Sequence, residues 1–177
     1  MDHVQELKRS RERFINQWFK AVIATYPEDT ARVIGKSSNK FDNPVGSATK
    51  ESLEAAFDIL EENTSLTGQK EMDRLETALD PVIRIRAVQA IFTAQQAVGF
   101  VFELKKIYKK ETGTRSESFD SRVDQVALAA FNRFMKCRED IFLLKSTEAK
   151  RRIHRAFERA GLVEELKEDD LLGSKKS

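Results

Sequence analysis

Cysteine occurs once in these 177 residues, histidine twice, proline three times and glycine seven times. A lone cysteine leaves no intramolecular disulfide. With only His3 and His154, and no second ligand at metal spacing, the chain offers no metal or haem constellation. Nor is there a paired-carboxylate, Ser-His or Cys-His arrangement, so no enzyme is expected, and no cofactor. Scarce proline and glycine favour long helices over a turn-rich sheet. The net charge is only +2, with acids and bases interspersed. That excludes a strong field for nucleic acid or an anionic membrane. Met1 to Ser10 lacks the apolar core of a signal peptide, and no uncharged stretch reaches the ~20 apolar residues of a bilayer span. No membrane insertion is expected, and a reducing cytoplasm is the expected location.

What is present is helical periodicity. Val4, Leu7, Phe14, Ile15, Trp18, Phe19, Val22 and Tyr26 recur at three- and four-residue spacing and predict a first helix ending at Pro27. A polar connection follows to Gly46, with room for a helical turn or two over Glu28 to Ile34. Leu53, Ala56, Phe57 and Leu60 mark a second helix, broken at Thr64 to Gly68. Met72, Leu75 and Leu79 mark a short third. Val123, Val126, Ala130, Phe131, Phe134, Ile141 and Phe142 carry a long helix after the Glu111 to Ser118 break, and Ile153, Phe157 and Ala160 continue its pattern to Gly161. The expected organisation is one helical domain over residues 1–162 and an acidic, then Lys/Ser-rich tail over 163–177, too poor in apolar residues to fold alone.

Between Arg86 and Glu103 there is no charged residue, although 34% of the chain is charged. Asp80 can serve as an N-cap and Pro81 as the first helical residue, so Asp80 to Lys110 reads as one buried axial helix of an all-α bundle. Ala87, Ala90, Ala94, Ala97 and Val101 then share one side, where small residues admit a neighbouring backbone, and Ala90 and Ala94 are expected to be buried. Arg86, Gln89, Thr93 and Gln96 form a polar stripe along the opposite flank, open to three readings: a ligand cavity, a two-fold interface or a solvated face. Arg84, Arg86 and Arg138 could grip an anionic ligand bidentately, or pair with Asp80, Glu139 or Asp140 within the fold.

Other features have plainer readings. Gly35-Lys36-Ser37 resembles the end of a phosphate-binding loop, but Thr30 stands where that loop needs its first glycine. His154 lies at the edge of an apolar stripe, and Cys137 falls on the stripe of Ala130, Phe134 and Ile141 with no histidine at helical spacing to activate it. The basic cluster Lys8, Arg9, Arg11 and Arg13 alternates with acids, as a wet helix face does.

Four phrases in this order carry a resemblance: Phe41-Asp42-Asn43-Pro44-Val45-Gly46; Leu79-Asp80-Pro81-Val82-Ile83-Arg84-Ile85-Arg86-Ala87-Val88-Gln89; Ala97-Val98-Gly99-Phe100-Val101-Phe102-Glu103-Leu104-Lys105-Lys106; and Cys137-Arg138-Glu139-Asp140 with Glu148-Ala149-Lys150-Arg151. Together, over about Phe14 to Gly161, they resemble the RsbRD amino-terminal sensor domain, the RsbT co-antagonist input module, similar in role to the non-haem globin-like modules of stressosome proteins. Two departures stand out. Ile91-Phe92-Thr93-Ala94-Gln95-Gln96 replaces the family's Pro-Ser step, and no phosphorylatable STAS domain follows. The resemblance implies a stand-alone, globin-like input module of a stress response, binding a small ligand or protein partner and signalling by helix-helix contacts. The alternative is a ligand-free assembly adaptor. A homodimer is expected, with Arg84, Arg86, Gln89, Thr93, Gln96 and Arg138 as ligand or interface residues.

Overall fold

The computed structural model describes residues 3–36, 41–62 and 66–161, with side chains from Ser10 onward. The tail 163–177, Ser37, residues 63–65 of the break after the second helix, and the side chains of His3, Val4, Leu7, Lys8 and Arg9 lie outside the described residues. Among those described, the architecture is an all-helical bundle without strands. Its elements are α1 (His3–Ile23), α2 (Glu28–Ile34), α3 (Pro44–Glu61), α4 (Gln69–Ala87), α5 (Ala94–Val98), a 3-10 turn (Gly99–Phe102), α6 (Glu103–Thr112) and the long α7 (Glu117–Arg159). The chain divides into two units, Met1–Arg138 and Glu139–Ser177.

The core of the first unit follows the apolar spacing. Phe14, Ile15, Trp18 and Val22 of α1 are buried, as are Leu53, Ala56, Phe57 and Leu60 of α3 and Leu75, Leu79, Val82 and Ile83 of α4. α3 packs chiefly on α4, and α1 on α3 and α6. Helix α7 closes the core with Phe119, Val123, Val126, Ala130, Phe134 and Cys137, all buried, and Phe119 stacks on Tyr108 at a ring separation of 4.3 Å. Cys137 is thus a small buried apolar group.

Helix ends are marked by identifiable side chains. Asn43 caps α3 by accepting from the Gly46 N–H, and Pro44 stands in the first turn, where its missing donor costs nothing. Gly113 ends α6 with φ +77°, the left-handed conformation that glycine alone adopts freely.

One expectation fails here: Asp80 to Lys110 is not a single axial helix. Helix α4 starts at Gln69 and runs through Pro81 to Ala87, and the chain then leaves the helical path over residues 88–93. Asp80 is therefore no N-cap. Its carboxylate instead pairs with Arg84, one turn on, and with Arg133 of α7. Pro81 sits on the exposed side of α4, so the ladder bond it removes opens toward water. The one long helix is α7, 43 residues, continuous through Lys145 to Thr147. Ala90 is exposed and Ala94 half-buried, so the expected burial of that pair also fails: both lie at or next to the break.

Candidate functional site

The chemistry of the first unit gathers where the expected axial helix breaks. Thr93 accepts from the Gln96 N–H, and the Gln96 side chain accepts from the Thr93 N–H, a reciprocal capping box that starts α5. With the chain turned in this way, the carbonyls of Gln96 and Ala97 face the last turn of α4. Arg86 lies there, fully buried at 0% exposure.

The Arg86 guanidinium joins three segments. Nη1 donates to the Gln96 carbonyl at 3.0 Å, while Nη2 donates to the Val22 carbonyl at 3.0 Å and to the Thr25 hydroxyl at 2.6 Å. Around it stand Tyr26, Phe92 and Phe100, with ring centroids 5.1, 4.8 and 4.9 Å from the guanidinium carbon. Carbonyl dipoles and aromatic faces thus replace the carboxylate that a buried cation normally requires. Two polar atoms here are buried without a hydrogen-bond partner among the described residues, Arg86 Nε and the Tyr26 hydroxyl. Burial pushes the Arg86 pKa below its ordinary value and lifts that of the Tyr26 phenol, the latter opposed by the Arg86 charge.

Beside this knot lies a groove of about 650 Å³, lined by Ala21, Ala24, Thr25, Gln96, Gly99 and Glu103 among others. A side-chain carbon added at Gly99, one of the lining residues, would meet nothing within 4 Å. Trp18 Nε1 donates to the Phe100 carbonyl at 2.9 Å and holds the 3-10 turn to α1 behind it.

The structure separates the residues singled out from sequence. Arg86, Gln89, Thr93 and Gln96 do not form a stripe on one helix, since the break falls between them; Arg86 and Gln96 nonetheless meet through the Gln96 carbonyl. Gln89 is half-buried in the turn after α4. Arg84 is exposed and paired with Asp80 at 3.1 Å. Arg138 donates to the Ala87 carbonyl at 3.1 Å, capping the end of α4. Arg122, not singled out before, does the same for α3, donating to the carbonyls of Ile59, Leu60 and Glu62. Arginine at helix C-termini is a recurrent device of this fold, satisfying orphan carbonyls and the negative end of the macrodipole together. Two signals could have exposed it: the Thr93-x-x-Gln96 capping pattern, which marks a helix start, and a single arginine at the edge of a charge-free run.

The second unit is different in kind. Over residues 139–161 nearly every side chain is exposed, including Phe142 at 70% and also Leu143, Leu144, Ile153 and Phe157. Phe142, Ser146, Ala149, Ile153 and Phe157 follow one another at three- and four-residue spacing and so share one helix face. His154 is exposed and lies 3.2 Å from Glu158, one turn on.

Among the described residues no three His, Cys, Asp or Glu side chains converge as a metal site, and no helix is long and apolar enough to cross a membrane. No protein-family model and no solved structure matches the chain, so the RsbRD resemblance rests on its motifs. An uncharacterized protein of Archaeoglobus fulgidus is 25% identical over 141 residues, covering 78% of this chain and 83% of that protein.

Proposed function

We propose that this chain is a non-catalytic regulatory module that dimerises through the second half of α7 and signals by that helix-helix contact. The observation that carries the reading is the exposed apolar face of residues 139–159. Large apolar groups exposed on one helix face supply what a second helix would bury. A second copy suits the face by its own order of sizes. Small Ser146 and Ala149 lie between the large Phe142 on one side and Ile153 and Phe157 on the other. An antiparallel copy, related by a two-fold axis near Ala149, sets Phe142 against Phe157 at both ends and lets the backbones approach where the residues are small. Such a pairing buries on the order of 1,000 Å² in total, at the lower edge of specific interfaces. The contact is therefore exchangeable, as a switchable contact must be. The motif resemblance to stress-response input modules, with their globin-like fold and cytoplasmic location, points the same way.

Sedimentation velocity over a concentration series tests the reading, comparing wild type with the Phe142→Glu, Ile153→Glu double variant. Wild type is expected to shift from monomer to dimer as concentration rises, and the variant to remain monomeric with an unchanged melting temperature for the first unit. A wild type that stays monomeric throughout, or a variant that dimerises as tightly, overturns it. Capture of a different partner helix by monomeric wild type would instead favour the adaptor reading.

A further inference from the structure

Helix α6 carries Lys105, Lys106, Lys109 and Lys110, and its following loop carries Arg115; these five cations line one surface cavity of about 380 Å³. The geometry points to a binding site for a small oligophosphate, a linear chain of phosphate groups either free or carried by a nucleotide. The inference concerns the first unit alone and stands without the dimer reading.

Helical spacing sets the cations in two rows, Lys105 with Lys109 and Lys106 with Lys110, each pair about 5–6 Å apart at Cβ. Part of this charge is compensated within the fold. Lys105 pairs with Asp124 at 2.6 Å, Lys106 pairs with Glu103 at 2.7 Å, and Lys110 donates to the neutral Gln17 side chain at 3.2 Å. Among the described residues, neither the Lys109 nor the Arg115 side chain makes an ion pair or hydrogen bond. The cluster therefore keeps an excess of positive charge, in a chain whose overall net charge is only +2.

The plain explanation is that the last turn of a helix attracts cations. That accounts for Lys109 and Lys110, which lie in the last turn of α6. It does not account for Lys105 and Lys106 near the start of the helix, where the macrodipole disfavours them, nor for Arg115 beyond its end. Successive charged phosphates match rows of ammonium groups in a way that a single carboxylate does not, and Arg115 can grip one phosphate bidentately. The concave shape and small volume favour a compact anion over an extended polymer or a lipid surface. No ring lines the cavity, so a nucleoside would add little.

Isothermal titration of the full chain at low salt, with inorganic tripolyphosphate and with ATP as probes, tests this. Both are expected to bind saturably, one per chain and within a few fold of each other, and to weaken as salt is raised. The Lys109→Gln, Arg115→Gln variant should lose roughly tenfold or more in affinity for both, equal to about 1.4 kcal/mol per tenfold. Its melting temperature should not change, because neither side chain holds the fold. The Lys70→Gln variant, remote in sequence and outside this cavity, should bind as wild type does. The proposal is overturned by the absence of saturable tripolyphosphate binding, by equal affinity in the double variant, by ATP binding far tighter than tripolyphosphate, or by binding of RNA or anionic vesicles alone.

Discussion

The segment with the fewest charges and the segment with the longest helix are different segments. Residues 87–102 contain no ionisable side chain, yet they are divided among the end of α4, a turn, α5 and a 3-10 turn. Helix α7, crowded with acids and bases, runs unbroken for 43 residues. Absence of charge reports burial, and burial is compatible with a broken backbone wherever side chains satisfy the freed groups. At residues 86–98 Arg86 and the Thr93–Gln96 box do this. Neither α7 nor residues 88–93 contain proline or glycine, and α4 runs through Pro81, so what separates the two segments is the competing helix start at the Thr93–Gln96 box.

If Arg86 is what permits the break, removing it has the largest effect. Arg86→Met keeps bulk and stem but leaves the Val22 and Gln96 carbonyls and the Thr25 hydroxyl without their shared donor. A loss of about 3 kcal/mol or more is expected from urea denaturation. Arg86→Lys should not restore it, because one ammonium cannot reproduce a planar fork that reaches both sides. A loss under about 1 kcal/mol would break the comparison.

The capping box gives a smaller effect. Thr93→Ala removes the acceptor for the Gln96 N–H at the start of α5 and should cost about 1 kcal/mol. By contrast, Thr147→Ala in α7, a residue already inside a continuous helix, should be neutral or slightly stabilising.

The alkaline limb of stability gives a third test. Burial raises the Tyr26 pKa above its ordinary value of 10.0. As pH climbs past that value the unfolded chain releases the phenolic proton first and the folded chain retains it, so the unfolded state binds fewer protons and stability falls. The contribution is complete below pH 10 and is lost as pH rises through the folded value. Tyr26→Phe should flatten this part of the decline in melts recorded between about pH 9 and pH 11. An identical decline in the variant would show that the phenol is not held neutral by its surroundings.

Much of the fold is legible from spacing. The buried faces of α1, α3 and α7 fall on Phe14, Trp18, Leu53, Phe57, Val123 and Val126, where the period alone puts them. The one or two helical turns expected over Glu28 to Ile34 form α2. Legibility ends where a residue type admits two local uses. Asp80-Pro81 reads equally as a helix start or as an ion-pairing acid followed by a tolerated exposed proline, and tertiary pairing with Arg133 on a helix fifty residues on favours the second. Threonine and glutamine three apart fit both a polar stripe and a capping box. Hydrogen-bond reciprocity, which no periodicity measures, decides for the box. The apolar residues of α7 share one period throughout, while burial stops near Cys137, because a period says which residues align and not whether anything faces them.

The smallest expected effect is the most direct test of the break. In an unbroken axial helix Ala90 would face another helix, and Ala90→Leu would cost roughly 1 to 3 kcal/mol by overpacking. In the structure Ala90 lies in the turn between α4 and α5 and is exposed, so the added methyl groups meet water. The change should stay within about 0.5 kcal/mol, as for other surface positions. Ala97→Leu is the internal control: it sits a few residues on, in the same charge-free run, but is fully buried and should carry the overpacking cost. Equal losses at both positions would mean that the run is one buried helix after all. A loss at Ala97 alone would place the break between charge-free sequence and helical continuity where Thr93 and Arg86 put it.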